Sequence, residues 1–226
     1  MSWADVHFDE VRCEVVATCL ELANKGYLAG TGGNVACRID IDDEHFAVTP
    51  SAIDYYAMRP EDICVLRLRD CGLVAGERRP SVEHRLHANI LRVRRDCRAS
   101  IHTHQPIASA YTLLGRELEI RHPRCQSMLG PKAALVGYAP SGTSWLAKKL
   151  EKALRPEINA YLIRNHGVVC CGPTLGETVA RVEALEAACA HYFQDAIERC
   201  TNPKSQASRS DVLMLLADSL KMESVE

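Results

Sequence analysis

Three histidines have the residue type and spacing of a metal-dependent active site. His102 and His104 are separated by one residue in Ile101-His102-Thr103-His104. In an extended strand, residues i and i+2 point to the same side, so both imidazoles could approach one ion. His166 lies in the turn Asn165-His166-Gly167, directly after an apolar stretch. Three imidazoles with one open position suit catalytic zinc, and other divalent metals also accept imidazole. Exposed or simply hydrogen-bonded histidines are the alternative explanation.

Glu83 is the carboxylate candidate for the same site. It follows Pro80-Ser81-Val82 at the start of a predicted helix. The helix dipole favours a negative charge in the first turn, which keeps the carboxylate ionised as a ligand or a base. His87 lies four residues later on the same helical face and is a weaker candidate ligand.

Three loops of small and polar residues could together bind an anion. Gly30-Thr31-Gly32-Gly33-Asn34 is rich in glycine, so its backbone N–H groups can turn toward a phosphate without steric cost. Thr49-Pro50-Ser51-Ala52 and Pro80-Ser81 each add hydroxyl groups. Plain turns are the alternative for all three loops. The Rossmann and P-loop glycine patterns are absent from the sequence.

Strands and helices alternate without a strict βαβ rhythm. Such mixing favours one central, largely antiparallel sheet with helices packed on its faces. Thr174 and Glu177 form a capping-box pattern at the start of the longest predicted helix, and Asp211 could cap a short last helix. Apolar periodicity and turn residues predict helices over 9–28, 82–95, 106–114, 142–154 and 174–199, and strands over 35–39, 45–48, 62–68, 99–104, 134–138, 161–164 and 168–171.

Composition excludes several classes of function. The 226 residues suggest one large domain or two small ones, and the net charge of -2 gives no footprint for nucleic acid or an anionic membrane. No apolar stretch approaches the ~20 residues that span a bilayer, and the segment 1–7 does not resemble a secretory signal. The 11 cysteines are odd in number and form no Cys-x-x-Cys pair. We therefore expect reduced, mostly buried thiols in a cytoplasmic protein.

Taken together and in order, these motifs resemble the class II aldolase/adducin-head family. The similarity covers about residues 10–195, and several ordered motifs are more specific than any one. The matching pieces are Gly30-Thr31-Gly32-Gly33-Asn34-Val35 with Arg38, Thr49-Pro50-Ser51, Arg59-Pro60-Glu61-Asp62, the segment 76–83, His102-Thr103-His104, Tyr138-Ala139-Pro140-Ser141-Gly142-Thr143 and Arg164-Asn165-His166-Gly167-Val168.

The resemblance implies a three-layer α/β/α fold around a mostly antiparallel sheet. It divides the chain into a class II aldolase-like domain over 1–200 and a polar segment with a short helix over 201–226. It also implies a homotetramer with sites at subunit interfaces and a small-molecule substrate. The implied metal ligands are Glu83, His102, His104 and His166, with Glu83 as the catalytic acid/base. The implied substrate-phosphate site is formed by Gly33, Asn34, Ser51, Ala52 and Ser81.

The resemblance implies a metal-dependent lyase that cleaves a C–C bond of a phosphorylated keto sugar. The products would be glycerone phosphate and an aldehyde, with Zn²⁺ as the metal or Mn²⁺, Fe²⁺ or Co²⁺ in its place. Within the pattern, Ala52 replaces a frequent Gly and Val82 replaces a second Ser of the fuculose type. Neither the segment 120–128 nor the tail after Phe193 contains the Tyr that such aldolases place there.

Those departures keep other reactions open on the same scaffold. Arg121 and Arg124, with His122 between them, could recognise a carboxylate, or could form a solvated basic loop. Carboxylate recognition would fit a metal-dependent decarboxylase or dehydratase of a keto or hydroxy acid. A 4-epimerase and a non-enzymatic scaffold are further alternatives. A complete set of three histidines and Glu83 argues against the scaffold, which needs no metal cage.

Overall fold

A computed structural model describes residues 3–28, 30–39 and 44–201 of the chain. The helices are α1 (Trp3–Asn24), α2 (His84–Val93), α3 (Pro106–Thr112), α4 (Pro123–Leu129), α5 (Ser144–Ala153) and α6 (Leu175–Thr201). The strands are β1 (Asn34–Arg38), β2 (His45–Val48), β3 (Cys64–Arg67), β4 (Leu73–Ala75), β5 (Ala99–Thr103), β6 (Leu118–Glu119), β7 (Lys132–Val136), β8 (Ala160–Ile163) and β9 (Gly167–Gly172).

The nine strands form one sheet in the order β4-β3-β2-β1-β5-β9-β8-β7-β6. Neighbouring strands are antiparallel except for β7 and β8, which run parallel. The mostly antiparallel sheet predicted from the sequence is therefore confirmed. In its centre, Asn34 of β1 is paired with His102 of β5, and His102 is paired with Val169 of β9. This register brings residues that are distant in the sequence to the same end of the central strands.

Helices cover both faces of the sheet, which confirms the three-layer α/β/α arrangement. The helices α1, α3, α4 and α6 pack on one face, and α2 and α5 pack together on the other. Successive side chains of a strand point to opposite faces. Along β9, Val168 and Cys170 lie in the core beneath α1 and α6, whereas Val169 and Cys171 lie in the core beneath α2 and α5.

Some predicted boundaries were wrong. The first helix was predicted over 9–28 but begins at Trp3 and ends at Asn24, where Gly26 adopts a φ of 74° and the N–H of Tyr27 bonds back to Leu22. The sequence analysis missed the short strands β4 and β6 and took α4 for a loop. The predicted turn 40–43 and the helix at Asp211 lie outside the described residues, and the domain boundary at 200 stays a prediction.

No membrane-crossing helix is found among the described residues, since none combines enough length with enough apolar character. The cysteines whose side chains are described are all free thiols, and most of them are buried.

Candidate metal and catalytic site

The three histidines predicted as metal ligands lie close together at one end of the central strands. One ring nitrogen from each of His102, His104 and His166 lies within 4.8 Å of the others. His102 and Thr103 are the last two residues of β5, and His104 follows them directly. His166 lies in the turn from β8 to β9. Because β9 pairs with β5, that turn is carried to the end of β5. Strand pairing thus brings together candidate ligands separated by about sixty residues.

The ring of His102 is oriented by the backbone of the neighbouring strand. Its Nδ1 lies 2.8 Å from the carbonyl oxygen of Val168. A carbonyl only accepts hydrogen bonds, so Nδ1 carries the proton and the lone pair lies on Nε2. That Nε2 lies 3.1 Å from Nε2 of His104. A backbone partner that fixes the tautomer is the usual support of a metal-binding imidazole.

Gly167 gives the histidine rings the room to approach each other. A Cβ atom built at this position would lie 2.4 Å from Cδ2 of His104 and 3.0 Å from Cε1 of His102. Any side chain here would therefore push into two of the three rings. The preceding Asn165 has a φ of 53°, the left-handed conformation that turns the chain sharply before β9.

Glu83 lies against the same histidines. Its Oε2 is 3.3 Å from Nε2 of His102, and its Oε1 is 3.4 Å from Nε2 of His166. The residue is the N-cap of α2 and is buried. Asn34 donates from Nδ2 to Oε2 at 2.9 Å, and the Ser141 hydroxyl donates to Oε1 at 2.9 Å. Each carboxylate oxygen therefore has one donor and one histidine beside it.

The surroundings keep the carboxylate of Glu83 charged and favour the neutral forms of His104 and His166. Burial alone would raise the pKa of Glu83, but the electrostatic interaction with His102 and the hydrogen bond from Asn34 outweigh it and lower that pKa to about 2. Burial, reinforced by the nearby imidazole of His102, lowers the pKa of His104 to about 4 and also lowers that of His166. Neutral imidazoles and a carboxylate are the protonation states that metal binding requires. The donor set therefore fits a divalent cation.

The three predicted anion-binding loops lie side by side. Pro50 and Pro80 form an isolated β-bridge, and the backbone N–H of Ser81 donates to the carbonyl of Thr49. The Ser51 hydroxyl donates to the carbonyl of Pro80. Asn34 begins the strand whose next residue, Val35, receives the backbone N–H of Thr49. The structure thus brings the loops that carry Asn34, Ser51 and Ser81 next to Glu83.

Two residues of these loops have left-handed backbones. Gly33 has a φ of 87°, and a Cβ there would lie 2.4 Å from the side chain of Leu28 and 2.7 Å from the carbonyl oxygen of His102. The buried Tyr55 hydroxyl donates to the Gly33 carbonyl at 2.7 Å. Ala52 has a φ of 56°, so this position keeps a backbone typical of glycine although it carries a Cβ. Such a conformation costs an alanine roughly 1–2 kcal/mol.

Sequence reasoning missed Ser141 and assigned His87 differently. Ser141 lies within the motif 138–143, but no pattern in the sequence links its hydroxyl to Glu83. His87 was a weak candidate ligand, yet its Nδ1 faces the Ser100 hydroxyl at 2.8 Å and its Nε2 faces Oδ1 of Asn34 at 2.5 Å. Because both ring nitrogens already have hydrogen-bond partners, His87 has no nitrogen free for a metal ion and instead contacts Asn34, which binds Glu83.

The structure does not bring Arg121 and Arg124 to this site within one chain. Arg121 follows β6, the edge strand four positions from β5, and strands lie ~4.8 Å apart. Arg121 pairs with Glu119 at 3.1 Å, and both side chains are largely exposed. Arg124 lies exposed on α4.

Comparisons with known proteins agree with this architecture. A family model described as the class II aldolase and adducin N-terminal domain matches residues 13–193. The chain is 31% identical over 186 residues to a 5-deoxy-D-ribulose 1-phosphate aldolase of Bacillus thuringiensis, covering 81% of this chain and 84% of that one. It is 32% identical to an L-fuculose phosphate aldolase of Methanocaldococcus jannaschii, covering 76% of this chain and 90% of that one.

A solved structure of a known aldolase also has the fold of this chain. The fold matches an L-fuculose 1-phosphate aldolase with a TM-score of 0.77 and 26% identity, covering 92% of this chain and 96% of that one. The family model covers most of the chain and includes all the residues of the candidate site. The chain therefore belongs to the class II aldolase and adducin N-terminal domain family.

Proposed function

We propose that this protein is a metal-dependent lyase that cleaves a C–C bond of a ketose 1-phosphate, giving glycerone phosphate and an aldehyde. The observation that carries the proposal is the ionised, buried Glu83 between His102 and His166, beside three loops suited to a phosphate. The named substrates of the relatives above, 5-deoxy-D-ribulose 1-phosphate and L-fuculose phosphate, are ketose phosphates of this class.

His102, His104 and His166 would hold the cation, with Glu83 as a fourth ligand before the substrate binds. Zinc suits this donor set best, and Mn²⁺, Fe²⁺ or Co²⁺ would also accept it. Retro-aldol cleavage leaves negative charge on the former ketose carbonyl, and a bound divalent cation would supply Lewis-acid stabilisation of that charge.

Glu83 would move the proton at the substrate carbon where the bond breaks. After cleavage that carbon is part of an enediolate and must gain a proton to become glycerone phosphate. The hydroxyl on the neighbouring carbon loses a proton as it becomes the aldehyde carbonyl, and the ionised Glu83 would take up one proton, directly or through water, before it delivers it to the enediolate carbon. In the synthetic direction the carboxylate would remove the same proton as a base. Hydrogen bonds from Asn34 and Ser141 stabilise the ionised form, so it is ready to accept a proton in that direction.

The loops around Gly33, Asn34, Ser51, Ala52 and Ser81 would hold the substrate phosphate. A phosphate held there places the neighbouring carbons of the ketose toward Glu83 and the histidines. Such remote binding energy orients the reacting end of the substrate and lowers the entropic part of the barrier.

The test is a panel of ketose 1-phosphates and keto acids incubated with the zinc-loaded protein, with glycerone phosphate and CO2 assayed separately. We expect glycerone phosphate from at least one ketose phosphate and no CO2. Chelator-treated protein and Glu83→Gln serve as controls, and the chelated sample should regain activity with zinc. Release of CO2 from a keto acid without glycerone phosphate would replace the aldolase with the decarboxylase alternative.

We also propose a cytoplasmic homotetramer in which a second copy covers the mouth of the site. Val82, Tyr138 and Trp145, each within four residues of Glu83 or Ser141 in the sequence, expose 61%, 53% and 55% of their surface, and Gly142 packs against Val82. Burial of such large exposed apolar side chains would favour an interface here, and the free thiols suit a reducing compartment. Light scattering after size exclusion should give the mass of four chains; a monomer would contradict the assembly.

A further inference from the structure

The hydrogen bonds behind Glu83 form a single buried chain of four residues. It runs from Ser100 of β5 to His87 of α2, then to Asn34 of β1 and finally to Glu83. The heavy-atom distances along it are 2.8, 2.5 and 2.9 Å. Ser100 and His87 are fully buried, and Asn34 and Glu83 are each about 5% exposed. Solvent therefore cannot readily replace any partner.

The direction of every bond in this chain follows from the charge on Glu83. An ionised carboxylate only accepts hydrogen bonds, so the NH2 group of Asn34 must face it. The amide oxygen of Asn34 then faces His87, and an amide oxygen also only accepts. The Nε2 of His87 must therefore carry a proton.

The far end of the chain fixes the other ring nitrogen. In a neutral imidazole with a proton on Nε2, Nδ1 is an acceptor, and the Ser100 hydroxyl can donate to it. Burial lowers the pKa of His87 to about 3, so the ring is neutral near pH 7. An Asn34 amide rotated by half a turn would oppose two acceptors at Glu83 and two donors at His87. A His87 ring flipped by half a turn would place carbon atoms where both nitrogens now meet their partners.

We propose that His87 is a positioning residue: its Nε2–H fixes the side-chain amide of Asn34, which in turn fixes the carboxylate of Glu83. The inference deepens the proposed function, because it assigns a role toward the same acid/base. It also explains why a polar imidazole is fully buried four residues beyond Glu83 in α2. Residues that orient a metal-ligating group through hydrogen bonds typically change activity by ~10–100-fold when they are removed.

Spectroscopy tests the arrangement without any turnover. In protein with ¹⁵N-labelled histidine, a long-range proton–nitrogen correlation spectrum separates the two neutral tautomers and the imidazolium. We expect His87, assigned by the signals lost in His87→Gln, to be neutral with its proton on Nε2, both with and without zinc. A proton on Nδ1, or a charged ring at pH 7, would overturn the proposal even if the protein is not an aldolase.

Kinetics test the consequence for Glu83. His87→Leu keeps a similar volume but cannot donate, and we expect kcat to fall ~10–100-fold with zinc content and KM nearly unchanged. His87→Gln can place an amide N–H near the position of Nε2 and should recover most of the loss. The exposed His191 gives a matched control, since His191→Leu should leave kcat unchanged.

A crystal structure of His87→Leu completes the test. The contact between Nδ2 of Asn34 and Oε2 of Glu83, 2.9 Å in the parent, should be lost or replaced. A wild-type kcat in a folded, zinc-loaded His87→Leu would refute the positioning role. If wild-type protein cleaves no ketose phosphate, the proposed function fails, and the spectrum and this contact still decide the role of His87.

Discussion

Replacing Gly167 with alanine tests the proposed metal site through a single added methyl group. The glycine lies at the start of β9, and its missing side chain would point at the histidines. The added Cβ would lie 2.4 Å from Cδ2 of His104 and 2.6 Å from the carbonyl oxygen of Thr103. Ordinary contacts of a Cβ begin near 3.4 Å. The ring of His104 would therefore have to retreat by about 1 Å, and the carbonyl of Thr103 would also have to shift although β5 is held by pairing on both sides.

A retreat of that size is large compared with the tolerance of a metal bond. Zinc–nitrogen bonds are ~2.0–2.1 Å long, and sites tolerate deviations of ~0.2 Å. The variant would then hold the cation with two good imidazoles in place of three. We expect zinc affinity to fall at least ~100-fold, or about 2.8 kcal/mol at 1.4 kcal/mol per tenfold change.

The assay is a competition titration with a chromophoric chelator, run well below the melting temperature of the variant. Circular dichroism under the same conditions checks that the variant is folded. Gly176→Ala is the matched control, because a Cβ at Gly176 meets no atom within 4 Å. Within α6 it should stabilise the fold by roughly 0.5–1 kcal/mol without changing zinc affinity. If folded Gly167→Ala binds zinc as tightly as the parent, the three histidines are not the site.

Three further predictions address catalysis, folding and pH. Glu83→Gln should keep zinc but lose at least ~100-fold in kcat, the usual contribution of a general acid or base; near-normal turnover would remove Glu83 from the mechanism. Thr174 accepts the N–H of Glu177 at 3.1 Å at the start of α6, so Thr174→Ala should lower the free energy of unfolding by about 1 kcal/mol in urea titrations; an unchanged midpoint would contradict this capping role. The pKa of His87 is about 3 when folded and 6.5 ordinarily. As the pH falls below 6.5, the unfolded chain takes up this proton and the folded protein does not. The free energy of unfolding of the parent should therefore fall, relative to that of His87→Gln, by up to ~1.4 kcal/mol per pH unit down to about pH 3. Parallel pH–stability curves for the two proteins would contradict a neutral His87.

The parts of the site that lie on one stretch of chain were predictable from local patterns. His102 and His104 come to one side because side chains alternate along a strand. Their meeting with His166 depends on the pairing of β5 with β9, which no local pattern determines. The family resemblance supplied that link. The described residues bring all three histidines and Glu83 together, while their roles as ligands and catalyst stay a prediction.

The features that the sequence did not predict are either very short elements or contacts between residues far apart in the sequence. β6 has only Leu118 and Glu119, too few residues to show an alternating pattern. α4 has seven residues and begins at Pro123, a helix-start signal that was outweighed by the basic residues around it. The bond from Ser141 to Glu83 joins residues 58 positions apart, so only folding reveals it.

Under the proposed function, the groups that would carry out the chemistry are buried, whereas the residues expected to select the substrate are exposed. His102 and Asn34 lie on the central strands and Glu83 at the start of α2; all three are buried and contact one another at short distances. A substitution there must disturb either the core or the hydrogen-bond chain behind it, so its effects on metal binding and on folding will be linked. The exposed Ala52 and Val82 instead lie on loops at the rim. Changes at those positions can alter which substrate is held without moving the groups that would cleave it.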